Sequence, residues 1–124
     1  MSNIYKWNKP IYMIMVCTKI EEKVYEHVET DGTTSFKPSG YPEFGVRDVV
    51  GFYHDKEDAI RDVEWNACDI NETMFKYAII EEVYPGIYPC SRTRWIFEYD
   101  RDSDTYYQIN EPEILKKMMD VTLG

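Results

Sequence analysis

What this 124-residue chain lacks narrows its function more than what it holds. It has two histidines, His27 and His54, and three cysteines, Cys17, Cys68 and Cys90, widely spaced and with no CxxC pair. Zinc takes about four nitrogen or sulfur ligands, so a metal centre would need distant thiols and a histidine to converge. An odd cysteine count argues against a disulfide framework and for reduced thiols. There is no GxxxxGK[ST] and no GxGxxG, so ATP hydrolysis and dinucleotide redox chemistry have no support. No apolar run approaches the ~20 residues of a membrane span. Residues Met1 to Lys9 lack the apolar core of a signal peptide. A cytoplasmic location, no membrane partner and no cofactor are expected.

Positive charge is also scarce. Fourteen Lys and Arg stand against 23 Asp and Glu, a net charge of -9. Phosphate affinity needs clustered cations, so a free nucleic acid is not an expected partner. An acidic surface suits a basic cleft on another protein, and it equally serves solubility alone.

The length matches one domain, over residues 1–124, able to bury a core without disulfide or metal staples. Aromatic residues make up 15% of the chain, with eleven tyrosines. Such residues favour strands, and tyrosine suits half-wet faces and binding surfaces.

Along the chain, Ile11 to Cys17 is an uninterrupted apolar run and reads as a central strand buried on both faces. Residues 19–29 read as a second strand paired with the first, ended by the turn signal Thr30-Asp31-Gly32-Thr33. Residues 33–48, rich in Gly and Pro, read as a long loop. Val49 to Tyr53 is a short strand. Asp55 is a candidate helix cap, and Ala59, Ile60, Val63, Ala67 and Ile70 form one stripe of a helix over residues 56–70. Residues 75–83 read as a strand with Phe75, Tyr77, Ile79 and Glu81 on one side. In the strand over residues 92–99, Trp95, Phe97 and Tyr99 point one way and Arg94, Ile96 and Glu98 the other. Residues 100–104 make a hairpin loop, residues 105–109 the returning strand, and Asn110 starts a last helix with Pro112 in its first turn. The fold class is α+β: a mainly antiparallel sheet with one central amphipathic helix and one C-terminal helix.

Four arrangements could carry chemistry. A thiol such as Cys68 or Cys90 beside His54 could be a nucleophile, although Cys68 at the edge of the helix stripe reads as packing. Glu81, on an apolar side, needs a partner such as an arginine or a tyrosine hydroxyl unless it lies at an exposed strand end. Arg92, Arg94 and Arg101 are the densest basic cluster, and Trp95, Tyr99, Tyr106 and Tyr107 lie beside them. Guanidinium for phosphate and ring for base stacking is what a nucleotide pocket requires. The same arginines could simply balance nearby acids on an exposed face. Last, the helix face with Asp58, Asp62 and Glu64 could imitate nucleic-acid phosphates, or be solvated.

A string of residues from Val50 to Tyr88 resembles a family of small proteins of phages, prophages and gut Firmicutes. The matching positions are Gly51-Phe52-Tyr53, Ala59-Ile60, Val63, Asn66, Cys68-Asp69-Ile70, Glu72, Tyr77 to Glu81 and Gly86-Ile87-Tyr88. Trp95, Glu111-Pro112-Glu113 and Gly124 also fit. The resemblance implies a counter-defence context and no catalytic mechanism. The expected function is non-enzymatic sequestration of a cyclic nucleotide or ADP-ribose-type immune signal by Arg92, Arg94, Trp95 and Tyr99, within a homo-oligomer. The alternative is an acidic inhibitor that uses Asp58, Asp62 and Glu64 against a basic host protein, such as a CRISPR effector nuclease.

Overall fold

A computed structural model describes residues 9–86 and 91–122, Arg92 by its backbone alone. The strands are β1 (Ile11–Cys17), β2 (Glu21–Val28), β3 (Thr34–Glu43), β4 (Arg47–Tyr53), β5 (Tyr77–Val83), β6 (Ser91–Asp100) and β7 (Thr105–Ile109). Among the described residues one α-helix, α1 (Lys56–Glu64), lies between β4 and β5. Single 3-10 turns occur at Ala67–Asp69 and Glu113–Leu115. Five strands form one antiparallel sheet in the order β4-β1-β5-β6-β7, and β2 and β3 pair separately. The fold is α+β, as the sequence predicts.

Two-residue alternation builds both sides of the sheet. On one side Ile14, Val16, Ala78, Ile80 and Phe97 pack against Ala59 and Val63 of α1. On the other, Met15, Cys17, Ile79 and Ile96 pack under Leu115 and Val121 of the C-terminal segment. β1 is therefore interior and buried on both faces, as its unbroken apolar run implies.

Several expectations are corrected. β2 pairs with β3, not with β1; Val24 sits opposite Pro38 and Glu26 opposite Phe36. Most of the expected loop over 33–48 is β3. Its Pro38 and Pro42 read as breakers, but a strand of a two-stranded ribbon has an open edge where a missing N–H costs nothing. The ribbon joins the body at Gly45, whose φ of +67° suits glycine and where a Cβ would collide with Thr18 Oγ1. There, Thr18 N–H donates to Val46 O at 3.0 Å and Lys19 N–H to Phe44 O at 3.1 Å.

The central helix stops at Glu64 rather than at residue 70, because Asn66 turns left-handed at φ 52°. Asparagine tolerates that conformation and ends helices with it. Asp55 takes the N-cap position, but its side chain makes no capping bond; Glu57 and Asp58 in the first turn still complement the helix's positive end. Phe75 precedes β5 and packs on the α1 side, away from Tyr77 and Ile79. The expected C-terminal helix reduces to the turn Glu113–Leu115. The backbone groups beyond it are bonded by two buried side chains, Arg94 and Glu81, instead of by a helical ladder.

Candidate functional site

Glu81 does lie on the Tyr77 and Ile79 face, and its partner is an arginine. Arg94 stands directly across on β6. Its Nε–H donates to Glu81 Oε2 at 2.5 Å, and Nη1 donates to Glu111 Oε1 at 3.1 Å and to Leu115 O at 3.0 Å. Nη2 donates to Met118 O. Glu81 also accepts from the amides of Val121 (2.7 Å) and Thr122 (2.8 Å) and from the Thr122 hydroxyl (2.7 Å). Glu81 has no exposed side-chain surface and Arg94 only 7%. Burial of such a pair is tolerable because both carboxylate oxygens of Glu81 and all three nitrogens of Arg94 are hydrogen-bonded.

Trp95 and Tyr99 project to the opposite face, so they and Arg94 do not share one pocket. Trp95 packs 6.1 Å from the Tyr12 ring, with the Lys56 ammonium 5.6 Å over its own ring. The side chain of Arg92 and residues 87–90, Cys90 among them, lie outside the described residues, as does the second half of the turn that Pro85-Gly86 leads one to expect over residues 84–89.

Tyr99 belongs to a different constellation. It lines a cavity of about 530 Å³ with Asn71, Thr73, Met74, Phe75, Lys76 and Arg101. Its backbone N–H bonds Lys76 O at 2.8 Å, which fixes the loop against β6. Its hydroxyl donates to Asp104, and this bond raises the phenol above its ordinary range. Its ring meets Tyr106 edge-on at 5.3 Å. Arg101 leads the exposed hairpin 101–104 and forms no hydrogen bond or ion pair among the described residues. Lys76 is exposed and rests 5.3 Å from the centre of the Tyr77 ring.

The loop that brings Asn71 and Thr73 to this cavity is conformationally unusual. Asn66, Cys68, Asp69, Glu72 and Thr73 all have positive φ, between 45° and 60°. Each such residue costs of order 1–3 kcal/mol and persists only where the surroundings impose it. Here the constraint is Asn66, which is buried. Its Nδ2 donates to Asn71 Oδ1 at 3.0 Å and Asp104 Oδ1 at 3.1 Å, and its Oδ1 accepts from Asn71 N–H at 3.0 Å. Asp104 Oδ1 thus ties the strained loop, the β6–β7 hairpin and Tyr99 into one network. Helix periodicity hides this loop; only the density of Asn and Asp over residues 66–71 signals left-handed backbone.

The acidic helix face is partly neutralised. Arg61 lies 3.2 Å from both Asp58 and Asp62. Asp62 also accepts from the Tyr53 hydroxyl, which lowers the carboxyl below its usual range and pushes the phenol up to about 12. Glu64 is exposed and borders an open recess of about 580 Å³ between α1 and β7, with Lys56, Trp65 and Tyr107.

The two described thiols, Cys17 and Cys68, lie apart. Cys17 is buried under the C-terminal segment, and burial pushes it up to about 12. Cys68 is exposed rather than packed, because the helix has ended and its backbone is left-handed. His54 stacks edge-on against Phe52 at 5.8 Å. Among the described residues no three His, Cys, Asp or Glu side chains are grouped to hold a metal ion. No helix among them is long and apolar enough to cross a membrane. Comparison with family models, curated proteins and solved structures returns no match.

Proposed function

We propose that this chain is a non-enzymatic counter-defence protein of phage type that binds and sequesters a nucleotide immune signal of the cyclic nucleotide or ADP-ribose class. It acts in the cytoplasm of the host cell. The binding site is the cavity between Tyr99, Lys76 and Arg101. The observation that carries this reading is the gathering of two cations and a tyrosine ring around one recess of about 530 Å³, in a chain where acids outnumber bases. Guanidinium and ammonium suit phosphate oxygens. The ring, with Met74 and Phe75, suits a base or ribose face. The network through Asn66 and Asp104 holds the walls in place before a ligand arrives, which lowers the ordering cost of binding.

The reading moves the basic contribution from Arg94 to Arg101, since Arg94 is engaged with Glu81. The acidic-inhibitor alternative has less support, because Arg61 occupies both Asp58 and Asp62.

The test is bind-and-release. The protein is incubated with cyclic dinucleotides, cyclic trinucleotides and ADP-ribose derivatives, and the free fraction is measured before and after heat denaturation. Depletion followed by recovery of the intact compound supports sequestration. Recovery of a cleaved product, or no depletion of any compound, refutes it.

A further inference from the structure

The β2–β3 ribbon has two unlike faces. Strand alternation puts Ser35, Lys37, His27 and Glu29 on one face. These satisfy one another: Ser35 Oγ donates to Glu29 Oε1 at 2.9 Å, and Lys37 Nζ and His27 Nε2 lie 4.0 and 3.8 Å from the Glu29 carboxylate. The other face carries Val24, Val28, Phe36 and Pro38, with Glu26 between them. It is bare: Phe36 is 71% exposed, Val28 65% and Val24 54%. Beyond Gly45 the chain continues through the exposed Val46 into β4, an edge strand of the large sheet, where Val49, Val50 and Phe52 are also exposed.

A two-stranded ribbon is marginal in water on its own. This one has only its base against the body, so its order requires a cover on the apolar face. An exposed edge strand with apolar side chains is likewise a surface that pairs unless protected.

We propose that the apolar face of the β2–β3 ribbon, together with the β4 edge, is a self-association surface covered by a second copy of this chain. Two features select a second copy over another partner. The ribbon needs its cover permanently, and only the chain itself is present wherever the chain is. The area also matches: the seven exposed apolar side chains of this ribbon face and β4, Tyr41 included, present on the order of 700 Å², close to the ~800 Å² that each partner gives to a standard interface. A two-fold arrangement places the same stripe on both partners.

The experiment is sedimentation velocity on the full chain, from micromolar to hundreds of micromolar. The wild type sediments as a dimer or larger. The variant Phe36→Glu/Val28→Lys sediments as a monomer whose β1, β5 and β6 amides stay protected from exchange, as an intact five-stranded sheet requires. The milder Phe36→Ser, which perturbs folding less, raises the dissociation constant at least tenfold, as loss of a central aromatic anchor does. Ser35→Lys, on the opposite face, leaves association intact. Amide hydrogens of the ribbon exchange faster in the monomeric variant than in the wild type. A wild type that is monomeric at every concentration overturns the proposal. So does a Phe36→Glu/Val28→Lys variant with the wild-type mass.

Discussion

Arg94 and Glu81 face each other across β6 and β5, joined by a 2.5 Å hydrogen bond, and each then reaches onward to bind the backbone of the C-terminal segment. The arginine takes the carbonyls of Leu115 and Met118; the glutamate takes the amides of Val121 and Thr122. The pair therefore does for this segment what a helical ladder would otherwise do. It closes the second face of the sheet over Met15, Cys17 and Ile79.

Removing either member should be costly. Glu81→Ala takes from the buried guanidinium its buried carboxylate partner, leaving it Glu111 and two carbonyls, and strips the Val121 and Thr122 amides of their acceptor; Arg94→Ala leaves a buried carboxylate without its cation; each is expected to destabilise by about 3–5 kcal/mol. Urea unfolding measures the loss, and hydrogen exchange at Val121 and Thr122 reports whether the segment detaches first. A change below about 1 kcal/mol, the range of exposed pairs, would show that the pair does not hold the segment.

The Tyr53–Asp62 bond makes stability pH-dependent at both ends. The Asp62 carboxyl is lowered in the folded state. Its contribution is present above the unfolded carboxyl value and is lost as pH falls through the folded one. The Tyr53 phenol is raised to about 12. Its contribution is present below about 10, the unfolded value, and is lost as pH rises through the folded one. In Tyr53→Phe, a carboxyl NMR titration should show Asp62 moved up toward the ordinary aspartate range. An unmoved Asp62 would mean that the phenol is not its main stabilising partner.

Thiol chemistry should separate the cysteines. Cys68 is exposed and Cys17 is buried with a raised pKa, and the thiolate is the reactive form. Brief iodoacetamide treatment followed by peptide mapping should label Cys68 in the native protein and Cys17 only after unfolding. Native labelling of Cys17 would contradict the closed second face.

Asn66 should matter for both stability and shape. Asn66→Ala removes three hydrogen bonds and places a residue with no local hydrogen bond at positive φ, an expected loss of about 2–4 kcal/mol. Exchange of the Asn71 amide should accelerate with it. A stable variant with a protected Asn71 amide would show that the loop is held by something other than this side chain.

Much of the large sheet is legible in the sequence, and its failures are local. The run Ile11–Cys17 and the alternation of residues 94–99 translate directly into buried strand faces, because burial on a sheet follows a period of two. Glu81 is legible for the same reason: its parity puts it among apolar side chains, where only a charged or hydrogen-bonding partner makes it tolerable. The pairing of β2 is not legible, because strands find partners by tertiary contact and two proline residues disguise β3. The helix end at Asn66 and the non-helical C-terminal segment are missed for one reason. Apolar spacing continues past the point where side-chain hydrogen bonds take over the backbone. The grouping of Tyr99 with Arg101 and Lys76 depends on a loop closing from residues 66–74, and no spacing encodes it.

The most direct test of nucleotide sequestration is calorimetric titration of the nucleotide panel into the wild type and into Arg101→Ala. Arg101 is exposed, so its removal should leave the melting temperature unchanged. The account predicts that the wild type binds at least one member, and that Arg101→Ala binds it about 10- to 100-fold more weakly, as loss of a charged hydrogen bond implies. Equal affinity in the two proteins, or no heat from any nucleotide with the wild type, would contradict it.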